Sequence, residues 1–251
     1  MQVNKILIVR FSSIGDVLLV SPLLRALAQQ SPHIEVHFVT KRAFLPLLEN
    51  NPNLKKIHCF SKDFDECLAD LNAEKFDLII DLHNNLRSKR LSQALAVKTT
   101  RFNKINLRKL MAVYFKALGV LPQQHIVERY FETLKELSVV PDEKGLDLFI
   151  AEKDRVSFGT LFNTPTTKFI ALVIGGSYET KQIPYSKLAE CIQYANLPVV
   201  LMGGPDDTAI AGKLQKEFPT CYDAVGKLNL MQSASLISQA EWVITGDTGL
   251  M

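Results

Sequence analysis

The chain has 251 residues, a net charge of +3, and 47% hydrophobic and 22% charged residues, as an ordinary globular protein does. A chain of this length buries a core without disulfide bonds, and its four scattered cysteines include no CxxC pair, which argues against a disulfide framework and a cysteine zinc site. The N-terminus lacks the features of a signal peptide, and no apolar run approaches the roughly 20 residues of a membrane span. We therefore expect a cytoplasmic protein of one large or two small domains.

The first half of the chain alternates short apolar runs with helical patterns. Five segments are predicted to be strands: KILIVRF, HIEVHFVT, PNLKKIHCF, FDLIIDLH and TTRFNKI. Three segments have helical spacing: VLLVSPLLRALAQQ, LRKLMAVYFKALGV and HIVERYFETLKEL. Strands that alternate with helices predict βαβ units and a mostly parallel sheet.

The pattern loosens over residues 138–168, which are rich in charge, proline and threonine, and we place a linker there. Four more strands follow: KFIALVIGGS, LPVVLMGG, CYDAVG and EWVITGD, the last expected to be buried at residues 242–244. Three helices separate them: YSKLAECIQYA, DDTAIAGKLQKEF and LMQSASLISQA. The predicted fold class is α/β, with two Rossmann-like domains of mostly parallel sheet over residues 1–155 and 156–251.

The end of the first strand carries the first candidate site. In FSSIGD, a tight turn contains Ser12, Ser13 and Gly15, and Asp16 lies near the start of the next helix. Asp16 either caps that helix or faces a ligand, and a helix N-terminus favours its ionised form. The turn is not GxGxxG and no lysine follows it, which argues against a dinucleotide site or a P-loop.

Glycines and a lysine follow the first strand of the second domain, in IGGSYETK. Gly175 and Gly176 allow main chain to approach a ligand, Ser177 offers a hydroxyl and an amide, and Lys181 is a point charge suited to phosphate. This pattern indicates a phosphate-binding loop. The alternative is a flexible surface loop.

Two further strand ends, MGGPDD and TGDTG, carry carboxylates. Asp206 or Asp207 either accepts hydrogen bonds from ribose hydroxyls or caps the next helix. Asp247 can accept bonds from sugar hydroxyls, while the amides of Thr248 and Gly249 can bind a phosphate at a helix start. Residues 250 and 251 are expected to begin that helix.

A basic stretch without Asp or Glu runs from Leu82 to Val127. Its basic residues are Arg87, Lys89, Arg90, Lys98, Arg101, Lys104, Arg108, Lys109 and Lys116. The stretch is either a solvated helix face or a surface for an anionic partner. It lacks the interleaved aromatic residues that stack on bases, so no nucleic acid partner is expected. No His, Cys or carboxylate set has metal-ligand spacing, Asp63–Glu66 is expected to be solvated surface, and His83 has either a ligand-binding or a structural role.

The motifs together, in chain order, resemble the glycosyltransferase family 9 heptosyltransferases from residue 5 to residue 251. The segments concerned are RFSSIGDVLLVSPLLRAL, DLHNNLRS, IGGSYETKQIP, LPVVLMGGPDD and VGKLNLMQSASLISQAEWVITGDTGLM. The resemblance implies the GT-B architecture, in which two Rossmann-like domains face each other across a cleft. It also implies an inverting transfer of heptose from ADP-heptose to a Kdo- or heptose-bearing lipid acceptor at the cytoplasmic face of the inner membrane, without a metal or other cofactor.

The same resemblance implies roles for individual residues. Asp16 matches the general base. The acceptor side is assigned to Ser12, Ser13, Gly15, Arg87 and Lys89, whose charges suit Kdo carboxylates, phosphorylated lipid A and an anionic membrane surface. The nucleotide-sugar side is assigned to Gly176, Ser177, Lys181, Asp206, Leu228, Asp247, Thr248 and Gly249. Within that set, Ser177 and Lys181 match positions that bind the diphosphate, and Leu228 matches an apolar contact for the base.

Two departures from the family pattern leave alternatives open. Ile183 stands where the family usually has an aromatic residue, and GDTGLM is normally followed by a histidine and further βα units. We therefore expect a truncated chain with an exposed apolar sheet edge. One alternative is another GT-B sugar-nucleotide enzyme, which donor selectivity would reveal. The other is an inactive remnant that binds an acidic glycan or a membrane, which nucleotide binding without turnover would reveal.

Overall fold

The computed structural model describes residues 3–104, 124–176 and 179–249. The chain forms two compact units, Met1–Phe149 and Ile150–Met251. The sequence-based boundary after residue 155 differs slightly, because the charged segment Glu152–Asp154 is a 3-10 turn of the second unit. In that turn Asp154 accepts a hydrogen bond of 2.9 Å from the side-chain amide of Asn229.

The first unit contains a five-stranded parallel sheet in the order β3-β2-β1-β4-β5. Its strands are β1 (Lys5–Val9), β2 (Glu35–Lys41), β3 (Lys56–Phe60), β4 (Leu78–Asp81) and β5 (Thr99–Arg101). Its described residues form the helices α1 (Ile14–Leu18), α2 (Ser21–Gln30), α3 (Asp65–Glu74), α4 (Leu86–Leu95) and α5 (Ile126–Phe131), with 3-10 turns at Arg42–Leu47 and Glu132–Leu137. All five predicted strands are confirmed.

The predicted helix after β1 is in fact two helices. Pro22 lies in the first turn of α2, where its missing N–H costs nothing, and the hydroxyl of Ser21 donates to the carbonyl oxygen of Leu18 at 2.7 Å. The predicted helix LRKLMAVYFKALGV lies outside the described residues. The core of this unit forms because β1 is buried on both faces, with Leu7 and Val9 in one hydrophobic cluster.

An ion pair attaches the end of the first unit to α2. The buried guanidinium of Arg25 bonds both carboxylate oxygens of Asp142, at 2.6 and 2.8 Å, and also bonds Asp147. These bonds outweigh the effect of burial on Arg25 and hold the pKa of the Asp142 carboxyl well below its usual range. The segment that leads into the second unit is therefore fixed on the first.

The second unit contains a four-stranded parallel sheet in the order β8-β7-β6-β9. Its strands are β6 (Ile170–Val173), β7 (Val199–Met202), β8 (Tyr222–Asp223) and β9 (Trp242–Thr245). Its helices are α6 (Phe158–Phe162), α7 (Tyr185–Gln193), α8 (Thr208–Glu217) and α9 (Leu230–Ile237), with further 3-10 turns at Glu179–Lys181 and Pro205–Asp207. The predicted strands and helices are confirmed. The fold class is α/β with parallel sheets in both units.

Two details of the second unit correct the sequence-based predictions. The segment assigned to a linker contains α6, which Ser157 caps and which packs its Phe158 ring on Phe169 at 4.6 Å. The burial predicted for the last strand is wrong, because 67% of Trp242 and 41% of Val243 are exposed. The cause is that β9 is an edge strand, which pairs with β6 alone among the described strands.

The order of strands predicts where ligands bind. In each unit the strands that follow the first one are added on one side of it, and a later strand is then added on its other side. The direction of strand addition therefore reverses between β1 and β4 and between β6 and β9. Such reversal points, at the carboxyl ends of the strands, are where open α/β sheets bind ligands. In the part of the chain that the structure describes, no helix is long and apolar enough to cross a bilayer.

Candidate active site

Asp16 lies in the first turn of α1, just after β1, at the first of these reversal points. Its carboxylate accepts hydrogen bonds from the amide and the hydroxyl of Ser13, at 3.1 and 3.0 Å, and forms an ion pair of 2.5 Å with Arg10. Partial burial raises the pKa of Asp16, but the charge of Arg10 and the bonds from Ser13 outweigh it, and the net pKa is lowered. Asp16 is therefore ionised at neutral pH. The Asp16 side chain bonds to the start of the helix, and 31% of it remains exposed to solvent.

Arg10, which the sequence analysis missed, joins the two strands of this reversal point. Its Nε donates to the carbonyl oxygen of Ser12 at 2.8 Å, and its Nη1 donates to that of Leu82, just after β4, at 2.6 Å. Only 8% of Arg10 is exposed. A charged residue at the end of an otherwise apolar strand was the available signal, because a buried arginine needs partners for all its donors.

The turn after β4 is held by a buried carboxylate. Asp81 accepts bonds from the amides of His83 and Asn84, at 3.0 and 2.7 Å, and from the hydroxyl of Ser88 at 2.8 Å. The His83 ring packs against Phe11, with centroids 4.9 Å apart. Burial, helped by the charge of Arg10, lowers the pKa of His83 to about 4, so this ring is neutral at neutral pH.

A basic cavity of about 690 Å³ opens at the carboxyl ends of β1, β2 and β4. Lys41, Arg87 and Arg90 contribute its charges, and Ser12 and His83 are among its polar lining. The described residues that line it include no acid, so the cavity suits an anionic ligand.

The predicted acceptor residues divide around this cavity. Ser12 and Arg87 line it, whereas Ser13 is the N-cap of α1 and Gly15 lies in the first turn of that helix beside Asp16. Lys89 is exposed on α4 and is not part of the lining. Arg108, Lys109 and Lys116 of the basic stretch lie outside the described residues.

In the second unit, the ends of β6 and β9 bring four predicted residues together. Lys181 Nζ lies 2.7 Å from an oxygen of Asp247, and 41% and 67% of these side chains are exposed. The main chain of Gly246 packs directly on the carbonyl oxygen of Lys181, and Gly176 lies beside Thr248. Gly249 is exposed next to Thr248. Ser177 lies outside the described residues, as do residues 250 and 251.

The position of the Asp207 side chain explains why two nearby residues are glycines. Its buried carboxylate accepts a bond of 2.8 Å from the amide of Gly204. A Cβ at Gly175 or Gly203 would lie 2.0 or 2.7 Å from the same carboxylate, which only a glycine tolerates. Gly175 therefore makes room for the Asp207 carboxylate, whereas the sequence had predicted that it lets the main chain approach a ligand.

The two aspartates after β7 thus have different environments. Asp207 is the structural one, and Asp206 is exposed in the same turn. Gly226 has a φ of +68° and packs against Pro205, which brings the loop of Leu228 beside that turn. Leu228 itself is half-buried and packs against the core cluster that contains Phe158.

The comparisons with known proteins all indicate the same family. The sequence profile of glycosyltransferase family 9 (heptosyltransferase) matches residues 67–251. The chain belongs to this family. It is 24% identical to lipooligosaccharide heptosyltransferase 2 of Haemophilus influenzae, over 98% of this chain and 78% of that protein. It is 25% identical to lipopolysaccharide heptosyltransferase 1 of Campylobacter coli, over 74% of this chain and 58% of that protein.

Solved structures of family 9 glycosyltransferases share the fold. The family 9 glycosyltransferase of Veillonella parvula superimposes with a TM-score of 0.83 and 23% identity, over 99% of this chain and 76% of that one. Escherichia coli heptosyltransferase WaaC with ADP superimposes with a TM-score of 0.73 and 22% identity, over 98% of this chain and 82% of that one. The family match identifies this chain as a glycosyltransferase, and the resemblance inferred from the ordered motifs is confirmed.

Proposed function

We propose that this family 9 glycosyltransferase moves heptose from ADP-heptose to an inner-core acceptor of lipopolysaccharide, with inversion at the anomeric carbon. The observation that carries the proposal is the pairing of Lys181 with Asp247, far apart in the sequence and joined at the ends of β6 and β9. The names of the relatives support it, since they are heptosyltransferases of lipopolysaccharide and lipooligosaccharide. WaaC has been solved with ADP and with ADP-2-deoxy-2-fluoro heptose.

Asp16 is the proposed general base. The acceptor hydroxyl oxygen attacks the anomeric carbon, the bond from that carbon to the diphosphate oxygen breaks, and Asp16 takes the hydroxyl proton. The lowered pKa keeps Asp16 unprotonated but makes it a weak base. Proton transfer is therefore expected late, after the attacking oxygen has begun to bond to carbon and its proton has become acidic.

Lys181 is proposed to neutralise the diphosphate as it leaves. A preorganised ammonium group placed where negative charge develops lowers the barrier, and we propose that it does so without a metal ion or other cofactor. In the structure Asp247 orients this ammonium group. On donor binding, Lys181 bonds to the diphosphate, while Asp247 accepts hydrogen bonds from sugar hydroxyls and the amides of Thr248 and Gly249 meet a phosphate.

The basic cavity of the first unit is the proposed acceptor site. Lys41, Arg87 and Arg90 there match the carboxylates and phosphates of a Kdo–lipid A acceptor, because arginine binds such groups in pairs of hydrogen bonds. We propose that the enzyme works at the cytoplasmic face of the inner membrane, where anionic lipids attract the same charges.

The test of the base is Asp16→Asn. The variant should bind ADP as the wild type does and lose about 10²- to 10⁴-fold in turnover, because only proton transfer is removed. Asp65→Asn, which changes an exposed carboxylate at the start of α3, is the matched control and should keep full activity. Full activity in Asp16→Asn would remove Asp16 from the mechanism.

The test of the donor is a thermal-shift series with ADP, UDP, GDP, CMP and NAD. Selective stabilisation by ADP is expected, at about 2–4 °C for each kcal/mol of binding. Lys181→Ala should weaken that response, whereas Lys187→Ala, which changes an exposed lysine of α7, should preserve it. A preference for another nucleotide would reassign the donor. ADP binding without any turnover would favour an inactive glycan-binding protein.

A further inference from the structure

A second cluster of chemically active side chains lies at the opposite edge of the first sheet. His37 of β2 and His58 of β3 are both 2% exposed, and their rings stack with centroids 5.4 Å apart. Glu74, the last residue of α3, approaches them. One ring nitrogen of each histidine and one Glu74 oxygen all lie within 4.8 Å of one another. Lys5, at the start of β1, reaches Glu74 at 3.0 Å, whereas Asp16 follows the end of β1, so this cluster is separate from the candidate active site.

The orientation of His58 is set by Asp70. The Nδ1 of His58 lies 2.6 Å from an Asp70 oxygen. Asp70 also accepts a bond of 2.7 Å from Lys56, so its carboxylate is the acceptor in both contacts and His58 Nδ1 carries the proton. The Nε2 of His58 then has only a lone pair, and it faces the Nδ1 of His37 at 3.1 Å.

No neutral form of His37 satisfies this arrangement. If His37 is protonated on Nδ1, its Nε2 holds a lone pair that is buried without a hydrogen-bond partner and lies 3.9 Å from a Glu74 oxygen. If His37 is protonated on Nε2, two lone pairs face each other at 3.1 Å. Either form leaves one acceptor of the cluster without a donor, so the cluster can take up one positive centre.

A bound cation supplies that centre better than a proton does. A proton would fill one ring nitrogen, whereas a cation can be bound at once by one nitrogen of each ring and by a Glu74 oxygen, which all lie within 4.8 Å of one another. Neutral imidazoles are the form that binds metals, and a carboxylate behind a ligating histidine, as Asp70 is, fixes its tautomer and orientation.

We propose that His37, His58 and Glu74 bind a divalent transition-metal cation of the Zn²⁺ class, with Asp70 orienting His58. Two imidazoles and a carboxylate, with a water in the fourth position, form a common zinc-binding set. Bonds of about 2.0–2.1 Å place tetrahedral ligand atoms roughly 3.3 Å apart, close to the 3.1 Å between Nδ1 of His37 and Nε2 of His58. Glu74 must then turn toward them, and 18% of its side chain is exposed at the mouth of the site.

The two lysines that bond Glu74 can give up these bonds when Glu74 turns toward a metal ion. Lys5 and Lys56 now bond Glu74 at 3.0 and 2.8 Å. Each has a second carboxylate in place, since Lys5 lies 3.5 Å from Glu35 and Lys56 lies 2.7 Å from Asp70. The ion would join β2, β3 and α3, which is a structural role distinct from the transfer reaction.

The test is metal binding by the whole chain after chelator treatment. Calorimetry should show one tight equivalent of Zn²⁺, and Co²⁺ should give a visible absorption band from nitrogen and oxygen ligands. Zn²⁺ at 100 times its dissociation constant should raise the melting midpoint by about 5 °C or more. His37→Gln and His58→Gln should each lose the equivalent, and Asp70→Asn should weaken it by about 10- to 100-fold.

His33→Gln, which changes an exposed histidine just before β2, is the matched control and should bind as the wild type does. If His37→Gln does not fold, Glu74→Gln replaces it, with circular dichroism to verify the fold. Three results would overturn the proposal: no tight equivalent in the wild type, binding that survives His37→Gln, or equal loss in His33→Gln.

Discussion

Gly246→Ala tests the contact that holds the two proposed donor-binding residues, Lys181 and Asp247, together. A Cβ at position 246 would lie 2.3 Å from the carbonyl oxygen of Lys181, a main-chain atom that cannot rotate away. Ordinary contact begins near 3.4 Å, so the two loops must separate by about 1 Å. That separation breaks the 2.7 Å bond between Lys181 and Asp247 and misplaces both groups.

The size of the effect follows from that displacement. A hydrogen bond to a charged group contributes about 1.5–3 kcal/mol, which corresponds to roughly 10- to 150-fold in affinity for ADP. A misplacement of 1 Å at a reacting centre costs about 100-fold in turnover. Both quantities should fall together in Gly246→Ala, and calorimetry with ADP and a transfer assay measure them separately.

The chain supplies a matched control in Gly212, inside α8, where an added Cβ has no atom within 4 Å. Gly212→Ala should leave ADP affinity and turnover unchanged and stabilise the protein by up to about 1 kcal/mol, because alanine favours a helix. Wild-type ADP affinity in a folded Gly246→Ala protein would refute the claim that this contact positions Lys181.

Three further predictions concern the first unit. Arg10→Met should raise the pKa of Asp16. In the pH profile of kcat/KM, the fall on the acid side should therefore occur at a higher pH than in the wild type, and an unchanged acid side would show that Arg10 does not set the pKa of Asp16. Asp142→Asn should cost about 3 kcal/mol in urea unfolding at neutral pH. Because the pKa of Asp142 is lowered in the folded state, that contribution is present above its unfolded pKa of about 3.9 and is lost as the pH falls below it, so the two proteins should converge in acid. Arg87→Glu should weaken binding of an anionic acceptor more than Lys89→Glu does, and equal effects in a binding assay would argue against the cavity as the acceptor site.

The sequence predicted the strands well because each is a short apolar run with polar residues at its carboxyl end. In a parallel sheet that is covered on both faces, this pattern is nearly sufficient. It failed for the burial of Trp242, because burial depends on neighbouring elements as well as on the strand's own residues. It also failed for α6, a five-residue helix too short to show a period.

The site residues were predicted unevenly for a similar reason. Lys181 and Asp247 belong to recognisable turns, so the sequence marked both as candidates, and the structure places them in contact. Pattern alone could not tell Asp206 from Asp207, because the assignment depends on which carboxylate faces the glycines after β6 and β7. Arg10 and the His37–His58 pair have no motif, and long-range packing alone gives them partners.

The pairing of β1 with β4 and of β6 with β9 bears on how the enzyme gains activity as it folds. Arg10 bonds to Leu82, 72 residues along the chain, and Lys181 meets Asp247 only when β9 docks on β6. The pairs of β1 with β2 and of β6 with β7 span shorter loops and are expected to form first, since closing a longer loop costs more entropy. A refolding chain should therefore acquire most of its helix and sheet signal before it can bind a nucleotide, and the return of ADP binding should report the last long-range strand to dock.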